Sequence, residues 1–180
     1  MAQSARGFTL IELLITLAIA SILAMLGAPA MANLLARTQD ANTQAAIAGS
    51  LRHARAAAVM DNTRILVCPS LDGRHCHQGT EWQSGWLVAR DADHDGQPDS
   101  NAGILVAQSA MHAGTRVITS VGRQRVVFHP EGNAAGSNAR FTVCHARDRA
   151  GRSVIVSNTG RVRVAPADPA QLQACLAGLQ

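Results

Sequence analysis

Gly160-Arg161-Val162-Arg163 sets two guanidiniums two positions apart near the C-terminus. Side chains alternate along a strand, so Arg161 and Arg163 share one face and Val162 takes the other. Guanidiniums about 7 Å apart match successive phosphates of a nucleic-acid backbone, and each can hold a phosphate bidentately. Gly160 supplies the turn that presents them. A hairpin of segments 153–157 and 161–164 would set Arg152 beside the pair, and Arg123 and Arg125 could extend the patch. No aromatic stands close by, so contact would run through the backbone and be sequence-independent and salt-sensitive. The bland counterpart is a solvated edge strand whose charges discourage pairing.

Asp91-x-Asp93-x-Asp95-Gly96-x-x-Asp99 has the spacing that opens a calcium loop, but its twelfth position is Ala102 where a bidentate Glu belongs. Its flanks read as strands, which favours a polar turn. Cys68 and Cys76, with His75 and His77 nearby, could hold zinc, yet the paired close spacings of zinc ligands are missing. Four cysteines allow three disulfide pairings. A local Cys68–Cys76 bridge closing a surface loop leaves Cys144 for Cys175, which would staple the C-terminal tail. No order of nucleophile, base and orienting acid emerges, so neither catalysis nor a cofactor is expected.

The elements that must carry these residues begin with a long apolar run. From Phe8 to Ala36 the only charge is Glu12. The ~24 residues of 8–31 make a helix of about 36 Å, enough to cross a bilayer core of ~30 Å with some tilt. A carboxylate in hydrocarbon costs several kcal/mol, so Glu12 needs a partner. Gly27 and Pro29 interrupt the span, and a kink or melted stretch is expected there. The Ala-rich stretch that follows has Ile47, Leu51, Ala54 and Ala58 at helical spacing, with Arg52 and Arg55 off the stripe.

Beyond residue 64 the pattern changes to short β-type runs: 64–67, 85–90, 104–108, 115–120, 124–129, 140–144, 153–157 and 161–164. Asp72-Gly73, Asp95-Gly96, Val121-Gly122, Pro130-Glu131-Gly132-Asn133 and Thr159-Gly160 supply turn chemistry between them. One long helix before seven or eight short strands predicts an α+β domain with antiparallel sheets against the helix. Trp82 and Trp86 read as core or hairpin packing rather than a ligand cage. The tail from 166 onward reads as irregular or briefly helical.

All sixteen basic residues are Arg. Segment 61–100 carries three Arg against seven acids, whereas 101–180 carries nine Arg against three. A basic C-terminal half attracts polyanions.

The start, Arg6-Gly7-Phe8-Thr9-Leu10-Ile11-Glu12-Leu13, closely resembles the prepilin signal of type IV pilins and type II secretion pseudopilins. That resemblance implies cleavage after Gly7 by a membrane peptidase and methylation of the new amino terminus at Phe8. It also implies that Glu12 meets the Phe8 amine of a neighbouring subunit in a filament. In order along the chain stand Trp82-x-x-Gly85-Trp86, the Asp-rich loop, Phe128-x-Pro130-x-Gly132, Phe141-Thr142-Val143-Cys144 and Gly160-Arg161-Val162-Arg163. This order resembles the GspH/FimT family of minor pilins and pseudopilins. The resemblance implies a leader (1–7), a transmembrane half-helix (8–31), an amphipathic half-helix (32–61) and a β-rich domain (62–180). Its implied partners are other pilins, an inner-membrane assembly platform and the prepilin peptidase. The implied location is the bacterial inner membrane, with the domain in the periplasm. The FimT branch implies capture of double-stranded DNA for transformation through the Gly-Arg-x-Arg element; the GspH branch implies protein contacts alone, in secretion.

Overall fold

The computed structural model describes residues 9–146 and 148–179. The chain divides into two compact units, Met1–Leu35 and Ala36–Gln180. A single helix, α1 (Leu10–Met60), supplies all the described residues of the first but Thr9, and the opening of the second.

In the first unit Thr9 caps the helix: its Oγ1 accepts the Glu12 backbone N–H at 3.3 Å. Thr9-x-x-Glu12 is the spacing of a capping box, and a carboxylate in the first turn also complements the positive end of the helix dipole. Glu12 therefore has a local reason to sit where it does. The side chains that follow are exposed and apolar, with a mean hydropathy of 2.4 over the best 18 residues, so the helix is long and apolar enough to cross a membrane. Pro29 lies inside it without a break, so of the kink or melted stretch expected there the melted stretch does not form. Proline deletes one backbone bond, the one that would reach the Met25 carbonyl, and its strongly apolar flanks remain helical on either side.

In the second unit α1 continues as the central element. Ile47, Ala48, Leu51, Ala54 and Ala58 are buried, the stripe expected from spacing, and Asp40, Thr43 and Ser50 are buried with them. Two four-stranded antiparallel sheets pack around it. One runs in the order β3-β2-β1-β5, built from β1 (Ile65–Pro69), β2 (Trp86–Arg90), β3 (Ile104–Gln108) and β5 (Val126–Phe128). The other runs β4-β6-β7-β8, from β4 (Thr115–Thr119), β6 (Ala139–His145), β7 (Asp148–Val156) and β8 (Val162–Pro166). The eight strands fall on the eight β-type runs of the sequence, and the α+β class holds.

The inner faces meet α1 through Ile65, Val67, Trp86, Val88 and Phe128 from one sheet and Val117, Phe141, Val143, Val154 and Val156 from the other. Trp82 stands edge-on to Phe141, ring centroids 4.8 Å apart. Trp86 donates its indole N–H to Ser50 Oγ at 2.9 Å, which satisfies a buried donor that would otherwise cost on the order of 1–3 kcal/mol.

Each sheet is also covered from outside, and a disulfide secures each cover. Cys68–Cys76 folds a loop over the outer cluster of Leu66, Leu87 and Val127. That explains why β1 is buried along its whole length rather than alternating. Cys144–Cys175 ties α2 (Pro169–Ala177) to β6. The tail is thus a true helix. Asp168 caps it by accepting the N–H groups of Ala170 and Gln171, with Pro169 in the first turn. Arg116 donates to the carbonyls of Ala174 and Cys175 at 3.0 and 2.9 Å, and also pairs with Glu81.

The hydrogen bond from Arg116 holds the Glu81 carboxyl below its ordinary value of 4.5. A depressed carboxyl stabilises the folded chain fully above that value, and the contribution disappears as pH falls through the folded value. Asp72, held low mainly by the His75 side chain, acts with the same sign; Asp91, raised by burial, acts with the opposite one. Comparison with Glu81→Gln isolates the Arg116 pair. The thermal midpoint of the wild type should exceed that of the variant at pH 7, and the gap should close on titration below pH 4.5. A gap independent of pH would show that the ion pair contributes nothing.

Candidate binding surface along the last strand

β8 is an edge strand that pairs only with β7. The register sets Ile155 opposite Arg163 and Val156 opposite Val162. Arg161 and Arg163 are exposed on the outer face of the sheet, and Val162 turns inward to pack against the core. Neither guanidinium has a hydrogen-bond or ion-pair partner among the described residues. Arg140 lies in the same cross-strand row, since it pairs with Ile155, which pairs with Arg163. Two strand spacings, about 10 Å, separate Arg140 from Arg163. Nothing in the sequence pattern marked Arg140, because only the register of β6 on β7 creates that row.

Arg152 does not join them. It pairs with Pro166, three positions from the Ile155–Arg163 pair, and strand alternation puts it on the opposite face. Arg123 and Arg125 are committed elsewhere. Arg123 donates to the Gly136 carbonyl at 2.7 Å and to Asn138 Oδ1 at 3.1 Å; Arg125 donates to the Gly96 carbonyl at 3.3 Å. Both hold loops.

Gly160 does more than turn the chain. Its φ is +75°, in the left-handed region that glycine occupies without strain. A Cβ there would collide with the Gly132 carbonyl oxygen and come within 3.2 Å of Arg55 Nε. The β7–β8 turn is therefore seated on the 129–136 loop and on α1, which fixes where Arg161 begins. The Ala134 N–H bond to the Asn158 carbonyl, 2.8 Å, secures the same contact.

That seating opens a groove of about 580 Å³ between α1 and the start of β8, lined by Arg52, Arg55, Ala56, Val59, Met60, Gly160, Arg161 and Val162. Arg52 and Arg55 reach this site from the helix, one turn apart, and sequence separation hid their proximity to Gly160.

The Asp-rich loop closes on itself. Asp91 is fully buried, its Oδ1 accepting the Gly96 N–H and its Oδ2 lying 3.0 Å from Arg64 Nε. Asp99 accepts the Ala92 N–H, Asp93 the Asp95 N–H and Asp95 the Gln97 N–H. One oxygen each from Asp91, Asp93 and Asp99 lies within 4.8 Å of the others, but Asp95 stands outside that group. These contacts are those of a carboxylate-closed turn. Cys68 and Cys76, bonded to one another, are not metal ligands. Gly7 and Phe8 lie outside the described residues.

A family model described as "Type II transport protein GspH" matches residues 43–160, and one described as "Prokaryotic N-terminal methylation motif" matches residues 3–28. No curated protein matches by sequence. Among solved structures, the type IV minor pilin FimU of Pseudomonas aeruginosa is 18% identical with a TM-score of 0.56, covering 74% of this chain and 90% of that one. The minor pseudopilin EpsH of the Vibrio cholerae type 2 secretion system is 10% identical with a TM-score of 0.53, covering 71% and 97%. At these identities the two structures share the fold.

Replacing Gly160 with Ala should destabilise the domain by at least about 1 kcal/mol in urea unfolding, because the turn can neither keep its φ nor stay seated on Gly132. An unchanged midpoint would show that the seating is dispensable.

Proposed function

This chain belongs to the GspH family of type II transport proteins, and from the exposed arginines of its last strand we propose that it captures double-stranded DNA as an exposed subunit of a type IV pilus. It is a minor pilin or pseudopilin, an assembly subunit and not an enzyme, and it associates with other pilins in a filament. The DNA reading rests on one observation: Arg161 and Arg163 lie exposed on a sheet face with no protein acceptor, in a row completed by Arg140. Capture needs no base stacking; three guanidiniums at strand spacing follow a phosphate backbone.

The N-terminal half of α1 anchors the subunit in the inner membrane, and the domain lies in the periplasm, where both disulfides can persist. A prepilin peptidase removes 1–7, and an assembly platform stacks the subunits. In the fibre Glu12 faces the Phe8 amine of a neighbour; until then the amino end of its own helix supports its charge. The matched methylation motif supports this sequence of events.

A second reading is a secretion pseudopilin that makes protein contacts only, which the description of the matching family favours. Deleting the protein and scoring both transformation and exoprotein release separates the two.

The full chain in zwitterionic nanodiscs should bind duplex DNA with affinity falling steeply with salt. Arg161→Gln with Arg163→Gln should weaken binding and lower the slope of log K against log salt by about two. Binding unchanged in the double variant removes the DNA reading and leaves the secretion one. Mass spectrometry of the membrane-extracted protein should find a methylated Phe8 amino terminus; an intact leader would contradict the assembly role of Glu12.

A further inference from the structure

β8 presents a second, unlike surface on its inner side. Ser157 N–H bonds to the Arg161 carbonyl, and Ala167 N–H to the Gly151 carbonyl. These two bonds bracket the β7–β8 ladder. Antiparallel ladders alternate, so the odd-numbered residues 161, 163 and 165 exchange bonds with β7, and the main-chain groups of Val162 and Val164 point to the open edge. Pro166, the next outward position, has no N–H and ends the open stretch. Edges of this kind are usually blunted by inward charges or a covering segment. Here the outward positions carry valine, and Val164 is 43% exposed.

The groove continues this edge. Its floor is Ala56, Val59, Met60 and Val162, with Val59 53% and Met60 82% exposed, both large apolar side chains outside the membrane segment. Its rim is cationic, with Arg52, Arg55 and Arg161. The guanidiniums of all three lack hydrogen-bond or ion-pair partners among the described residues. Sheet and helix thus part at β8 before the sheet has covered the Ala56–Val59 flank of α1. One more strand beside β8 would cover it.

We propose that β8 and this groove receive an extended segment of another polypeptide as a ninth strand, with apolar residues on one face and Asp or Glu on the other. Main-chain bonds to Val162 and Val164 give affinity, and alternate side chains give specificity, as in strand addition generally. The apolar face of the incoming strand lies over Val59, Met60 and Val164, and its acidic face meets Arg161 and Arg163. A nucleic acid could use the guanidiniums but would leave the apolar floor and the open main-chain groups unused. The inference does not rest on DNA capture.

The full chain in zwitterionic nanodiscs can be titrated with a fluorescent octapeptide of alternating valine and glutamate, read by anisotropy. Two control peptides carry lysine in place of glutamate, or N-methyl groups on alternate residues. Saturable binding of the first, at least tenfold weaker for both controls, is expected. Val164→Pro removes one outward N–H without touching the β7 ladder and should weaken binding at least fivefold, with the circular dichroism spectrum unchanged. The peptide controls leave the protein intact, so a misfolded variant does not blunt the test. Equal binding of the N-methylated peptide, or no binding of the valine-glutamate peptide, overturns the proposal. Displacement of the bound peptide by duplex DNA at low salt, with the N-methylated peptide still excluded, supports it by placing both ligands on Arg161.

Discussion

Burial of one flank of α1 between two sheets is the contact on which the rest of the domain depends. Ile47, Leu51, Ala54 and Ala58 are small or medium apolar residues at helical spacing, and they let both sheets approach the helix closely. Two tryptophans fill the remaining space, one edge-on to Phe141 and one bonded to Ser50. Among the described residues both inner faces pack in one cluster with α1, and that is why the inner faces of the central strands are apolar. The turn before β8 is placed by the same helix, through Arg55 and Gly132.

Much of this was legible in the sequence because it is periodic. The helix stripe, the eight β-type runs and the turn residues between them are local patterns, and local patterns survive reading one residue after another. Resemblance carried the order of the strands' motifs. What escaped reading depends on contacts made at long range. Ser50 looks like a surface residue until Trp86 is seen to need it. Asp40 and Thr43 likewise interrupt an apolar stripe yet are buried. Arg140 joins Arg163 only through the register of two strand pairs, whereas Arg152, close in sequence, is sent to the other face by the same register. Pro29 is a milder case: the local rule allows a kink or a melted stretch, and the helix continues through it without melting. Thr9 caps the helix through the Glu12 N–H, a local role for this pair beside the longer-range one that the resemblance implies for the carboxylate.

β8 concentrates two chemistries on one strand. Its outer face is cationic and open; its inner face is apolar, and half of its main-chain groups are unpaired. Strand alternation is what permits the division, since consecutive residues of Arg161-Val162-Arg163-Val164 address different surroundings. A short edge strand can therefore offer guanidiniums that a charged ligand and a polypeptide would share, and main-chain groups and an apolar floor that only a polypeptide would use.

The disulfides act as clasps on the outside of the domain, one over each sheet, and not as rivets through its middle. The inner packing around α1 includes no cysteine, whereas Leu66, Leu87 and Val127 are roofed by a loop that Cys76 pins down, and α2 is pinned by Cys175. Oxidation therefore bears on the two outer covers, whereas the packing around α1 has no bridge of its own.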